Sequence, residues 1–250
     1  MNIRQVMTGC VAAMVLFAGA VDARDKKKAP PPPPPAPPAP PMVYVAWKPI
    51  PPEWASPKLT YQPLGPDGVR LSVNRKISPA QTLWNLRSAY NVAALNCLKP
   101  EHAEIVVNYR AFLKAHAKTL RATNTKVDAE WRAKYGAGYV KYREKFMTEV
   151  YNHFAVPPIM PAFCNAALAM SKDAKTVKSA NLTAFATTAL PNIEIVFDDF
   201  FKRYDQYRHD MAAWDARWGK DAVPGTLVVA TPQNSPDLAI ATPTAQTATQ

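Results

Sequence analysis

The segment from Phe197 to Trp218 carries an aromatic stripe that constrains the fold more than any other part of the sequence. On an α-helix, residues spaced alternately by three and four lie on one face, and a large apolar face must be buried against other helices. Gly219 follows at the position where a glycine commonly ends a helix. The stripe therefore predicts an all-α fold built as a helical bundle. Its members are Phe197, Phe200, Tyr204, Tyr207, Met211, Trp214 and Trp218.

Two further helices are predicted before this one. The sequence Ser-Pro-Ala-Gln at residues 78–81 has the pattern of a capping box with proline at the first helical position. Apolar residues then recur at helical spacing as far as Cys97. From Pro100 a second apolar line passes through His116 and can continue to Gly136. This line predicts one continuous helix about 50 Å long, at about 1.5 Å per residue.

Three shorter helices are predicted between residues 138 and 191. The first begins near Gly138 and ends at the run Val-Pro-Pro-Ile-Met-Pro, and the second contains Phe163 to Met170. The third is a short helix around Leu182 that ends at Pro191, because proline lacks the amide donor that a helix interior needs. Residues 78–219 are thus predicted to form a bundle of five or six helices.

The first 23 residues have the pattern of an export signal. Arg4 supplies the positive start, and an apolar core of 15 residues runs from Val6 to Ala20. Small residues predict cleavage after Ala20 or after Ala23. The apolar core is short for a membrane span, which needs about 20 residues. A cleaved signal is the prediction, with an uncleaved inner-membrane anchor as the alternative.

A basic and proline-rich linker follows at residues 24–41, with three lysines and ten prolines. Prolines fix φ and cannot donate backbone hydrogen bonds, so the segment favours the polyproline II conformation. At about 3.1 Å per residue, the 13 residues 29–41 span roughly 40 Å. We interpret the linker as a spacer between the folded part and a membrane or wall.

Residues 42–77 and 220–250 flank the predicted bundle. The first segment mixes aromatic residues with prolines, and Trp47 and Trp54 make it too apolar for a free linker, so we expect an extended arm that packs on the core. Within it, the alternating apolar residues 69–73 suggest a short strand that pairs with Leu59 and Tyr61. The last segment is rich in Thr, Ala, Pro and Gln, has little charge, and is predicted to be a disordered tail.

Cleavage of the signal would remove Cys10 and leave Cys97 and Cys164. An even pair of cysteines in an oxidising compartment is most simply a disulfide. The alternative is two buried free thiols. The predicted bond would join the end of the first helix to the fourth.

The sequence contains no pattern typical of a catalytic, cofactor-binding or metal site. A di-iron bundle needs Glu-x-x-His on two helices, and this spacing does not occur. His102, near two glutamates, is interpreted as part of a solvated first turn, and His116 as a hydrogen-bonded core residue. Asp205 and His209 are one helical turn apart and could form a carboxylate–histidine pair, but no nucleophile completes a triad.

Positive charge is concentrated on the predicted long helix. The chain has a formal net charge of +11. Four cations, with no acid between them, recur at intervals of four, four and three residues and form one stripe on a helix. Such a stripe is most simply an ordinary solvated face. The functional hypothesis is a site for an anionic partner, such as phospholipid headgroups, lipopolysaccharide or an acidic protein. Nucleic acid is not expected for an exported chain. The four residues are Arg110, Lys114, Lys118 and Arg121.

Several runs in residues 56–170 resemble a group of exported Gram-negative bacterial proteins with no assigned function. They include LWNLRSAYNVAALNC, IVVNYRAFLKAH, VDAEWRAKYG, YNHFAVPP and FCNAAL, and the contexts of Cys97 and Cys164 are the most specific. The resemblance implies an envelope location and a helical core. It implies no activity, ligand or catalytic residue.

The sequence as a whole thus predicts a periplasmic or secreted, non-enzymatic protein that works by interaction and needs no cofactor. A carrier of a small apolar ligand or lipid is the first alternative, and it would have an apolar pocket of about 300 Å³ or more between the helices. An enzyme is the second alternative, and it would have polar groups that converge in a cleft.

Overall fold

A computed structural model of the chain describes residues 32–235. The predicted signal and the lysines at 26–28 lie outside the described residues. The described chain divides into two units between Pro40 and Pro41, and the fold belongs to the second. The all-α bundle expected from the sequence is confirmed. Within the described residues its elements are β1 (Met42–Tyr44), α1 (Pro79–Asn96), α2 (Glu104–Ala115), α3 (Ala117–Tyr135), α4 (Tyr139–Phe154), α5 (Met160–Ala174), α6 (Leu182–Trp218) and β2 (Leu227–Val229).

Helix α1 begins at the predicted capping box. Ser78 Oγ accepts a hydrogen bond from the Gln81 amide at 3.1 Å, and Gln81 Oε1 accepts one from the Ser78 amide at 3.4 Å. These two bonds satisfy amide donors that a helix start leaves without partners. α1 packs against each of α2 to α6 and is therefore the central helix of the bundle.

Five of the seven members of the aromatic stripe of α6 are buried, as predicted, and Met211 and Trp218 are half-buried. Phe197, Phe200 and Tyr204 are each at most 1% exposed. Phe197 packs edge-on against Phe154 of α4 and Phe163 of α5, with ring centroids 5.7 and 5.6 Å apart. Such aromatic pairs stabilise a core beyond the area that they bury. The centre of the bundle is therefore filled with rings from three helices.

The prediction that Pro191 ends a short helix is wrong. α6 is continuous over 37 residues, with Pro191 inside it. The proline removes the amide that would bind the Thr187 carbonyl, which costs about 3 kcal/mol in a helix interior. Leu182, Leu190 and Ile193 on either side of it are at most 2% exposed. Burial of each such side chain contributes about 1.5–3 kcal/mol, so packing outweighs the proline.

The prediction of one continuous helix from Pro100 to Gly136 is also wrong. A 3₁₀ turn occupies Pro100–His102, and the remainder is divided into α2 and α3 at His116, which has φ −109° and ψ 12°. α2 packs mainly on α5, whereas α3 packs on α4 and α1. A single straight helix cannot follow both surfaces, so the chain changes direction at His116.

Residues 42–77 form an arm that lies along α6. The Tyr61 ring stacks on Phe201 with centroids 5.0 Å apart, and its hydroxyl donates to Asp205 Oδ1 at 2.5 Å. Tyr204 donates its hydroxyl to the Ser56 carbonyl at 2.7 Å. The buried side chain of Arg70 binds the other oxygen of Asp205 at 2.5 Å. Aromatic packing and polar contacts together hold the arm on the helix.

Two details of the arm differ from expectation. The predicted pairing of residues 69–73 with Leu59 and Tyr61 is wrong, because Arg70 instead forms an isolated bridge with Leu64. The tight turn at residues 65–68, with Gly68 at φ +74°, brings Leu64 and Arg70 together. The two tryptophans that suggested packing are exposed, and the arm contacts the bundle through other side chains.

Residues 220–235 of the predicted disordered tail have a defined structure. β2 pairs antiparallel with β1, with Met42 opposite Val229 and Tyr44 opposite Leu227. β1 offers a fixed edge, because the adjacent Val45 is buried and the Ala46 carbonyl accepts from Trp214 Nε1 at 2.9 Å. The tail prediction is therefore wrong for these residues. Residues 236–250 lie outside the described part of the chain.

The predicted Cys97–Cys164 disulfide is present, with a Cα–Cα distance of 5.5 Å. Cys97 ends α1 and Cys164 lies in the second turn of α5, and both are buried. The bond joins these two helices beside the break at Pro157–Ile159.

Among residues 32–235, no single helix is both long and apolar enough to cross a membrane. One bent pair, Ala117–Phe154 with Pro157–Ala174 at 47°, meets that test by length and composition alone.

Candidate functional site

The four cations of the hypothesised anion-binding site form what we call the basic face. Arg110 and Lys114 lie on α2, and Lys118 and Arg121 lie on α3. All four are exposed. The break at His116 means that they do not form the stripe on one helix that the sequence suggested. They occupy the solvent side of two successive helices instead.

Among the described residues, no carboxylate is paired with the basic face. No Asp or Glu occurs between Ile105 and Val127. Within residues 32–235, none of its four cations forms a salt bridge, whereas Arg70, Arg143 and Arg203 all bind carboxylates. Unpaired cations keep their full field for an external anion.

His116 lies at the break between α2 and α3, beneath the basic face. Its side chain is 4% exposed and fixes the break from the core side. Its Nδ1 lies 2.8 Å from Ser179 Oγ, and its ring packs edge-on against Phe112. The prediction of a hydrogen-bonded core histidine is confirmed. Burial lowers the pKa of His116, because the imidazolium loses its solvation.

Two other interpretations from the sequence are wrong. His102 is not part of a solvated turn, since it is 4% exposed and its Nε2 lies 2.8 Å from Asn165 Oδ1 of α5. The 3₁₀ turn that opens the segment directs it inward. Asp205 and His209 do not pair: Asp205 binds Tyr61 and Arg70, and His209 is exposed beside Asp210. The arm takes the carboxylate that the histidine was expected to bind.

A cleft that the sequence did not predict lies between the arm and α6. It has a volume of about 570 Å³ and is lined by residues 69–77, by Thr82 of α1 and by residues 187–198 of α6. Its central acid is Glu194, whose Oε1 accepts from Asn74 Nδ2 at 2.7 Å and lies 2.8 Å from His153 Nε2. Asn85 of α1 donates to Asn74 Oδ1 at 2.7 Å and fixes that amide in turn. We call this the arm–α6 cleft.

A second acid lies one helical turn beyond the first. Burial, with the charge of Glu194 as the next contribution, raises the pKa of Asp198. Asp198 keeps an exposed edge, and within residues 32–235 it forms no hydrogen bond or salt bridge; the charge of Arg70, which is itself paired with Asp205, lowers its pKa in part. Lys76 and Arg75, whose guanidinium is paired with Asp67, line the arm side of the cleft. The cleft thus presents acidic groups on one side and basic groups on the other.

No local signal in the sequence could have revealed this cleft. Asn74 and Glu194 are separated by 120 residues, and His153 comes from a third element. Only the spacing of Glu194 and Asp198, at one helical turn, was visible, and such pairs are common on solvated helices. Among the described residues, no group of three or more His, Cys, Asp or Glu side chains is placed to hold a metal ion.

Comparison of the chain with protein-family models, with curated proteins and with solved structures finds no match. The function is therefore argued from the geometry of the basic face and of the arm–α6 cleft.

Proposed function

We propose that this protein is an exported, non-enzymatic interaction protein that binds an anionic component of the cell envelope through its basic face. The observation that carries the proposal is the set of exposed cations on α2 and α3 without a carboxylate partner in the described residues. Each Lys or Arg near an anionic surface contributes about 1 kcal/mol of binding.

Two further features support this choice. The disulfide is typical of proteins in the periplasm or outside the cell, where lipopolysaccharide, anionic phospholipids and acidic proteins are the available partners. The aromatic rings between the helices are almost completely buried, which favours a filled core over a carrier with an internal apolar pocket.

The test is a quadruple change to glutamine at the basic face. The wild-type protein and the variant R110Q/K114Q/K118Q/R121Q are titrated against phosphatidylglycerol vesicles and, separately, against lipopolysaccharide. At low salt we expect the variant to bind at least about tenfold more weakly, given about 1 kcal/mol per cation. Stability should change by less than about 0.5 kcal/mol, because the side chains are exposed.

A matched variant removes the same charge elsewhere. Lys58, Lys134, Lys141 and Lys202 are exposed and dispersed, and their replacement by glutamine should weaken binding much less. If both variants weaken equally, general charge attraction explains the binding and the basic face is not a site. Binding to the vesicles would identify phospholipid as the partner, and binding to lipopolysaccharide alone would identify lipopolysaccharide. If the protein binds neither, affinity capture tests for an acidic protein partner.

A second candidate function is the binding of a small molecule with an amino group in the arm–α6 cleft. It is favoured by Asp198, an exposed carboxylate that lines the cleft and has no partner among residues 32–235. An ammonium group would pair with this carboxylate, and Lys76 on the arm side would pair with an acid group of the same molecule. A thermal-shift screen of amino acids and simple amines tests this. Asp198→Asn should abolish any shift, whereas Asp199→Asn, outside the lining, should not.

A further inference from the structure

A row of exposed apolar side chains lies on the arm, beside the contacts that hold the arm in place. Trp47 is 80% exposed and Trp54 is 83% exposed, and Tyr44 and Ile50 are 68% and 62% exposed. Indole rings are among the largest apolar groups that a protein can bury, so two that remain in solvent mark an interaction surface. We call these four residues the tryptophan row.

The backbone beneath the row is fixed. Next to Trp47, Val45 is buried and the Ala46 carbonyl accepts from Trp214 Nε1 at 2.9 Å. Beside Trp54, Ala55 is buried in the core and Glu53 forms a salt bridge with Arg203 at 2.6 Å. The two indoles are therefore held outward by an anchored chain.

The two α6 residues that anchor the arm here, Arg203 and Trp214, also define how the indoles are arranged. They are 11 residues apart, which is about 16 Å along the helix, and the two positions differ by only about 20° of rotation about the helix axis. Both anchors thus lie on the same face of the helix. The two tryptophans next to them are held over that face, in one row along the arm.

Backbone strain accompanies the exposure of Trp54. Glu53 and Trp54 have φ +47° and +54°, in the left-handed region that residues other than glycine rarely adopt. Each such residue costs about 1–3 kcal/mol, and this strain is concentrated at functional positions. A chain that only needed to turn here could use glycine, whereas this one keeps a bulky ring.

We propose that the tryptophan row seats the protein on the surface of a phospholipid bilayer, with the indoles at the level of the headgroups. Tryptophan and tyrosine favour that region because each ring has an apolar body and a polar tip. With four fifths of each indole in solvent, Trp47 and Trp54 protrude from the surface and are presented to a flat partner.

Charge decides between a bilayer and a second copy of the chain. The formal net charge of +11 attracts the protein to anionic lipid and makes two copies repel each other. Lys48, between the two indoles in sequence, is exposed; its ammonium lies 4.7 Å from the centroid of the Trp214 ring and donates to the Lys220 carbonyl at 3.2 Å. The row is a different surface from the basic face, and the inference does not rest on the proposed function.

The test uses the exported protein as recovered from the cell envelope and vesicles of phosphatidylethanolamine and phosphatidylglycerol. In 0.5 M salt, where surface charge is screened, we expect wild-type protein to sediment with the vesicles. W47A/W54A should bind at least about tenfold more weakly, since each exposed indole can bury apolar area at about 25 cal/mol per Å². L98A/V107A removes two exposed apolar side chains elsewhere and should bind as wild type does.

Fluorescence reports directly on the indoles. No tryptophan precedes residue 47, so the predicted signal segment cannot contribute to the emission. Vesicles with brominated acyl chains should quench part of the wild-type emission and little of the emission of W47A/W54A. Wild-type emission that is not quenched would overturn the proposal, and so would equal sedimentation of W47A/W54A and wild type. Self-association of the wild type that W47A/W54A loses, without vesicle binding, would assign the row to a second copy instead.

This experiment separates the two proposals. R110Q/K114Q/K118Q/R121Q should still bind vesicles in 0.5 M salt and still be quenched, even though its binding at low salt is weakened. W47A/W54A should keep salt-sensitive binding to lipopolysaccharide. Either proposal can therefore fail while the other holds.

Discussion

At the scale of single residues, His116 both marks the break between α2 and α3 and makes the stability of the fold depend on pH. The residue separates α2 from α3, and its buried ring lies beneath the basic face. Its pKa is lowered in the folded protein by burial, whereas the unfolded chain titrates near 6.5. Between these two pKa values the unfolded chain binds more protons than the folded chain. The free energy of unfolding therefore decreases as the pH falls below about 6.5.

We expect His116→Asn to reduce this pH dependence. Asparagine can keep a hydrogen bond to Ser179 but has no ionisable group. Thermal melts at pH 7.5 and pH 5.5 should show a smaller loss of stability in the variant than in the wild type. His209→Asn is the control, because His209 is exposed, and it should behave as the wild type does. Parallel pH profiles for H116N and wild type would contradict the assignment.

At the scale of helices, the local period of the sequence predicted which faces are buried but not where each helix ends. The stripe from Phe197 to Trp218 could be predicted, since every member follows from its neighbours at three or four residues. The break at His116 and the continuity through Pro191 could not. Both depend on which distant helix lies alongside, and tertiary packing can override local preference there.

Pro191 provides a test of how local helix preference and tertiary packing compete. We expect Pro191→Ala to raise the free energy of unfolding by about 1 kcal/mol, because alanine restores an amide and is the better helix former, although the more flexible unfolded chain offsets part of this. Urea denaturation measures the change. Asn192→Ala, at the next exposed position, has only the smaller propensity effect and is the control. An equal gain in both variants would show that the missing hydrogen bond at Pro191 has no effect on stability.

At the scale of the whole molecule, the disulfide and the arm–α6 cleft differ in how far the sequence could predict them. Removal of the predicted signal, which contains Cys10, leaves two cysteines with one possible partner each, so the pairing needed no knowledge of the fold. The cleft depends on Asn74, His153 and Glu194, which meet only after the arm, α4 and α6 are packed. Residues that meet through packing alone leave no pattern along the chain.

The disulfide should supply a large part of the stability of the protein. It joins residues 67 positions apart, and the entropy of loop closure for that length is worth roughly 4 kcal/mol. We expect Cys97→Ala/Cys164→Ala to lower the free energy of unfolding by about this amount, measured by urea denaturation. The wild type under strong reductant should lose a similar amount. Two thiols that alkylate freely in the native, unreduced protein would contradict the pairing.

The antiparallel register of β1 and β2 has a mechanical consequence. Met42 lies opposite Val229, so the chain enters the ribbon and leaves it at the same end. A force that pulls the preceding proline linker away from the segment after β2 would act on one end of the ribbon and open its hydrogen bonds one after another. Opening in sequence needs much less force than breaking them all together. The ribbon would therefore yield first under tension, and the helical bundle with its crosslink would stay folded behind it.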